Sequence, residues 1–185
     1  MSYIEIIEPE QAEGELKDIY DDLVRSRGKV AEVHKIQSLN PKTITNHMDL
    51  YMSIMFGKSP LRRVHREMMA VVVSVSNKCE YCTVHHLEAV QNYWKDETKV
   101  EALKNDYKHC NLTDKEIALC DYAAALTISP DKSREQLYAA KLRESGFSDR
   151  EILDATLVIA YFNFVNRIVM SLGVELENNP GGYNY

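Results

Sequence analysis

Apolar residues recur along this chain with a helical period almost from end to end. Residues 9–27 carry Leu16, Ile19, Tyr20 and Leu23 three and four apart, which predicts an amphipathic helix. Asn40-Pro41 reads as a cap followed by a first-turn proline, whose missing N–H does no harm there. The helix it opens places Ile44, Met48, Tyr51 and Met55 on one face. Ser59-Pro60 repeats the start signal, ahead of Leu61, Val64, Met68, Val71, Val72 and Val75. The second half of that helix, MMAVVVSV, is apolar nearly all round, the pattern of deep burial. Its valines would also suit a strand, but the periodic segment is too long for a typical one.

Asn77-Lys78 breaks the pattern and a further helix spans 79–94. Residues 96–107 form a polar, exposed helix. Thr113-x-x-Glu116, Ser133-x-x-Gln136 and Ser148-x-x-Glu151 are capping boxes. Gly146 can end a helix in the left-handed conformation, and Phe147 can staple against Ile152. The last helix, 149–177, is the longest, and NNPGGYNY follows as a tail that is disordered or draped over a neighbour. There is no repeat and no linker. The expectation is one all-α domain of about eight helices, with residues 1–32 as N-terminal helix and linker, 33–177 as core and 178–185 as tail.

Composition narrows the function classes. A chain of 185 residues with 45% hydrophobic and 27% charged residues can bury a proper core. Its net charge of −6, with no basic face bearing aromatics, argues against a nucleic-acid partner. The N-terminus lacks the pattern of a signal peptide. The apolar stretch 152–176 is interrupted by Asn163, Asn166 and Arg167, which are costly in lipid, so no membrane partner is expected. The expected location is cytoplasmic, where the four cysteines would rest as thiols and a close pair points to redox or metal chemistry.

That pair is Cys79 and Cys82, one short turn apart at the start of a helix. The free N–H groups and dipole there favour a thiolate, and a disulfide across the first turn is feasible. His86 lies four residues beyond Cys82, so Cys79, Cys82, His86, Ala89 and Tyr93 share a strip. An imidazole so placed can take a proton from a thiol and return it to a leaving oxygen. Glu67 sits on the preceding helix, ten residues before the turn, while His86 lies about eight beyond it. An antiparallel pair would bring the carboxylate alongside the ring. By nearness to the helix end alone, Cys79 is the more reactive thiol.

The string E-x11-C-x-x-C-x3-H, here Glu67, Cys79, Cys82 and His86, resembles the AhpD-like alkylhydroperoxidase group of the carboxymuconolactone decarboxylase superfamily. VSVSNKCEYCTVHH, with LNPKTITNHMDLYMSIMFGKSPL before it and FSDREILDATLVIAYFNFVNRI after it, is similar to a branch of uncharacterised peroxidase-related enzymes. The likeness runs from Val33 to Leu176. It implies an AhpD-like helical bundle assembled as a trimer, or as a hexamer built as a trimer of dimers. It also implies reduction of a small hydroperoxide without metal or cofactor, recharged by a dithiol or thioredoxin-like reductant. By the resemblance Cys82 attacks, Cys79 resolves, and Glu67 and His86 relay protons. The family's characterised peroxidases carry histidine immediately before the second cysteine, where this chain has Tyr81. A phenol of pKa about 10 is a poor base at neutral pH but can donate a hydrogen bond.

Other readings compete with this one. The cysteines could be two small buried residues, a redox sensor or, with His86 and either His85 or Glu67, a zinc clip; three ligands from one turn would crowd one side of that ion. Lactone-acid decarboxylation, the superfamily's founding activity, needs no dithiol. Glu67 could simply pair with Arg63 or Arg66. Tyr81 and His85 are accessory candidates. Asn163 and Arg167 are others, either lining a cavity or crossing an interface, or bonding with Asn166 and a nearby carboxylate. His34, His47, His65 and His109 read as surface or satisfied core groups, Cys110 and Cys120 as structural thiols, and the methionines as core.

Overall fold

A computed structural model describes residues 2–133, 137–180 and 182. Over these the chain forms nine α-helices and no strand. They are α1 (Gly14–Arg27), α2 (Glu32–Lys35), α3 (Pro41–Tyr51), α4 (Arg63–Ser76), α5 (Glu80–Trp94), α6 (Glu97–Asp106), α7 (Asp114–Ile128), α8 (Tyr138–Glu144) and α9 (Asp149–Leu172).

The apolar half of α4 is the centre of the core. Met68, Met69, Ala70, Val71 and Val73 have no exposed surface. Burying a valine or methionine of this kind stabilises the fold by roughly 2 kcal/mol. The valines are helical because α4 is surrounded, by α5 in sequence and by α7 and α9 across the core. α9 contributes Ile152, Ala155, Val158, Ile159, Phe162, Val165 and Val169 to the same cluster. A smaller cluster joins Leu16, Tyr20 and Leu23 of α1 to Ile44 of α3.

Both described capping boxes, Thr113 with Glu116 and Ser148 with Glu151, are formed. The box expected at Ser133 to Gln136 lies outside the described residues, as does the end of the tail at 183–185. Ser59-Pro60 does not cap α4. The Ser59 hydroxyl instead donates to Asp154 and accepts from the Leu61 N–H, and the helix starts at Arg63. The N-terminal segment is a 3-10 turn, Pro9–Gln11, followed by a separate helix. α3 passes into a π turn, Met52–Phe56. α2 is only four residues long, too short to show a period in sequence.

The last helix ends at Leu172, five residues earlier than 177. Gly173 adopts φ 67, a left-handed cap, and the Val174 N–H closes back on the Val169 carbonyl. The chain then turns aside, and residues 174–180 run as a strap past α2 and α5. Among the described residues α9 is the one helix long and apolar enough to cross a membrane. One face of it packs on α4 and α7. The opposite face exposes Leu153, Leu157, Ala160 and Phe164 in a line.

Candidate functional site

The turn between α4 and α5 sets the site. Asn77 ends α4 with its N–H on the Val73 carbonyl, Lys78 takes φ 60, and the Cys79 N–H returns to the Ser74 carbonyl. The Asn77 amide donates to both Asn163 and Asn166, tying the turn to α9. Cys79 therefore becomes the N-cap of α5 and Cys82 faces it across the first turn. Both thiols are free and buried, with their sulfurs 2.9 Å apart in a hydrogen bond.

Either sulfur could donate in that bond, and position decides. Cys79 sits where the first-turn N–H groups of α5 favour negative charge. The hydrogen bond from Cys82 holds the Cys79 thiol below its ordinary value against the cost of burial. Donating that bond, together with burial, pushes the Cys82 thiol well above its own ordinary value, although the Asn166 amide bonds its sulfur and pulls the other way.

One helical turn further, His86 Nδ1 lies 2.6 Å from Glu67 Oε2. Arg63 grips the other carboxylate oxygen, with Nε at 2.7 Å and Nη2 close beside it. Glu67 is only 1% exposed. Burial pushes its carboxyl up, but His86 and Arg63 together bring it below the usual carboxylate value. An ionised carboxylate only accepts, so His86 carries its proton on Nδ1 and turns the Nε2 lone pair away from Glu67. Phe162 braces the ring edge-on at 4.4 Å. Arg66, the other nearby arginine, bonds the Ile54 and Gly57 carbonyls.

Cys82 and His86 open on a chamber of about 90 Å³. That is room for a few water molecules or a small organic molecule. Its walls are mainly aromatic and apolar, with Tyr51, Tyr161, Phe162, Val33, Met48 and Val165. Its lining also holds two histidines that sequence patterning leaves among surface or core groups. His47 bonds Gln37 through Nδ1 at 2.8 Å and Tyr161 Oη through Nε2 at 2.7 Å. Burial pushes His47 down to about 4. His34, pushed down to about 3 by burial, with His47 and Arg27 adding to it, has its Nδ1 buried without a partner.

Tyr81 and His85 also line the chamber, and both are held by Glu177 from the strap. The Tyr81 hydroxyl donates to Glu177 Oε1 at 2.9 Å, and His85 Nε2 lies 2.9 Å from Oε2. The Glu32 N–H donates to the same carboxylate. Burial raises Glu177, but His85 and the backbone N–H groups of Glu177 and Glu32 outweigh it and bring it down to about 2. The sequence hides this role, because its pattern makes residue 177 the end of the last helix, whereas that helix stops at Leu172.

Asn163 and Arg167 do not reach the chamber wall. Arg167 is exposed and bonds Asn163, which in turn bonds Asn77 and Thr127. Their neighbour Asn166 is the α9 residue that reaches sulfur. Cys110 and Cys120 are buried apart from the pair, and burial raises both thiols. His65 faces Glu116 and the exposed His109 bonds Asp106. Among the described residues no three His, Cys, Asp or Glu side chains are arranged to hold a metal ion.

The chain is similar to several known proteins. The profile of the Carboxymuconolactone decarboxylase family matches residues 41–104. An uncharacterised peroxidase-related protein from Silicibacter sp. TM1040 is 31% identical with a TM-score of 0.80, over 88% of this chain and 84% of its own. An alkylhydroperoxidase AhpD core protein from Ralstonia eutropha JMP134, also uncharacterised and peroxidase-related, is 21% identical with a TM-score of 0.84, over 96% and 93%. The debrominase Bmp8 is 19% identical with a TM-score of 0.74, over 89% and 87%. The last two likenesses are of fold, and Bmp8 shows that the fold serves more than one chemistry.

Proposed function

The chain belongs to the AhpD-like, peroxidase-related part of the carboxymuconolactone decarboxylase superfamily, and from that premise and the site geometry we propose that it is a thiol-dependent peroxidase for small hydroperoxides. The observation that carries the reading is two free thiols 2.9 Å apart, one of them facing a small chamber beside a carboxylate-held imidazole. Decarboxylation of a lactone acid has no use for such a pair.

Cys82 is the attacking sulfur because it faces the chamber, even though Cys79 is the better resting thiolate. His86 Nε2 takes the Cys82 proton, with Glu67 stabilising the imidazolium. The Cys82 sulfur bonds the terminal oxygen of ROOH, the O–O bond breaks, and the electron pair leaves on RO⁻. His86 returns the proton to that oxygen as ROH. Sulfur is oxidised to the sulfenic acid and the peroxide is reduced. Cys79 then attacks Cys82, expelling water and closing the disulfide, which an external dithiol or thioredoxin-like protein reduces to restore both thiols. Neither Tyr81 nor His85 acts as base in this scheme, since both are engaged by Glu177.

One equivalent of tert-butyl hydroperoxide should remove two free thiols per chain, and a dithiol should restore them. Cys82→Ser should abolish peroxide consumption. Full turnover by that variant would remove Cys82 from the chemistry.

A further inference from the structure

The chamber wall contains a directed chain of hydrogen bonds that the peroxidase scheme does not use. It starts at Gln37. The Nε2 of that amide bonds the Val33 carbonyl at 2.7 Å, and a carbonyl can only accept, so the atom is the nitrogen and it donates. The second hydrogen of the same nitrogen points at His47 Nδ1. His47 is buried and neutral, so Nδ1 accepts and the ring proton sits on Nε2. Nε2 donates to the Tyr161 oxygen at 2.7 Å. The direction of the chain is therefore fixed as Gln37 to His47 to Tyr161. The Tyr161 hydroxyl hydrogen is left over, with no acceptor among the described residues.

Tyr161 and Cys82 line the same chamber. Burial, Tyr51 and the nearness of the Cys82 sulfur all hold the phenol in its protonated form. His34 Nδ1, buried and unpartnered, lies in the same wall. A buried polar group without a protein partner costs stability unless water or a ligand meets it. The Tyr161 hydroxyl hydrogen is thus available to a polar atom that enters the chamber.

We propose that the Tyr161 hydroxyl, aligned by Gln37 and His47, is a catalytic hydrogen-bond donor to the departing oxygen of an organic hydroperoxide held against Cys82. This rests on the peroxidase reading and deepens it. As the O–O bond breaks, negative charge develops on the RO oxygen, and a pre-aligned donor stabilises that charge with little reorganisation. Tyr161 gives up no proton. The one that completes ROH is the Cys82 proton returned by His86, so the balance of the reaction is unchanged. The chemistry selects hydroperoxides whose leaving group is a basic alkoxide.

The test is to mix reduced protein with two oxidants and follow thiol loss. tert-Butyl hydroperoxide expels a strongly basic alkoxide, and peroxyacetic acid expels a weakly basic carboxylate. Tyr161→Phe should slow the first reaction roughly a hundredfold, the scale set by losing one such donor. The loss with the peracid should shrink to a few-fold. Gln37→Leu, which removes only the alignment, should show the same oxidant order in weaker form. Equal effects on both oxidants, or none, in a folded Tyr161→Phe protein would overturn the assignment. Wild-type thiols inert to both oxidants would instead sink the peroxidase reading itself, and this inference with it.

Discussion

Glu67 is a carboxylate placed where burial alone would neutralise it, and it stays charged because Arg63 and His86 share it. Glu67→Gln preserves the shape but not the chemistry. An amide can present N–H to His86 Nδ1, forcing the ring proton onto Nε2 and removing the lone pair that Cys82 needs. Thiol oxidation should slow about a hundredfold, within the range of general base catalysis, and a kinetically silent variant would dismiss the relay. The protein should also lose about 3 kcal/mol, since a buried ion pair loses one partner. The folded carboxyl lies below its ordinary value of 4.5, so its contribution to stability is present above that pH and lost as pH falls. Urea unfolding of both proteins across pH 6 to 3 should show the variant's deficit shrinking on the acid side. The meeting of Glu67, Cys79, Cys82 and His86 is legible in sequence because all four lie on two consecutive helices joined by a short turn. Counting residues from Asn77-Lys78 is enough to set them opposite one another. His47 and Tyr161 are 114 residues apart, and Glu177 reaches Tyr81 across 96. Nothing local in the sequence encodes such pairings.

Helix ends decide where the second ring of site residues falls. The apolar period of α9 runs on past Leu172, so reading the pattern alone carries the helix to 177. Gly173 stops it, and its left-handed cap sends the strap across α5. A Cβ at Gly173 would meet the Tyr3 ring at 2.8 Å, and φ 67 is strained for any other residue. Gly173→Ala should therefore cost about 1–2 kcal/mol. It should also loosen Glu177 from Tyr81 and His85, seen as faster amide hydrogen exchange in 174–177. Unchanged exchange there would mean that the strap is anchored by its other contacts, such as Lys29 on Asn179. The four-residue α2 was equally hidden, yet it supplies Val33 and His34 to the chamber. Longer elements with explicit caps, α7 and α9 at their N-termini, follow the sequence signals closely.

At the scale of the whole molecule, Leu153, Leu157, Ala160 and Phe164 of α9 form an exposed line, of which Phe164 also meets the His47 ring edge-on at 5.9 Å. We infer that a second copy covers it, since a contiguous apolar stripe on a helix is costly to leave in water. Leu157→Glu should lower the molar mass measured by light scattering to that of one chain, 21.3 kDa. A wild-type protein already of that mass would refute the assembly. The paired sulfurs also occupy an unusual place in the molecule. Cys82 looks into the aromatic chamber, whereas Cys79 borders a separate hollow walled by Tyr3, Val169, Gly173 and Val174, with Tyr81 common to both. The dithiol is thus a partition between two compartments. On the peroxidase reading proposed here, an electron donor and an electron acceptor would visit from opposite sides, and crowding one doorway would leave the other clear.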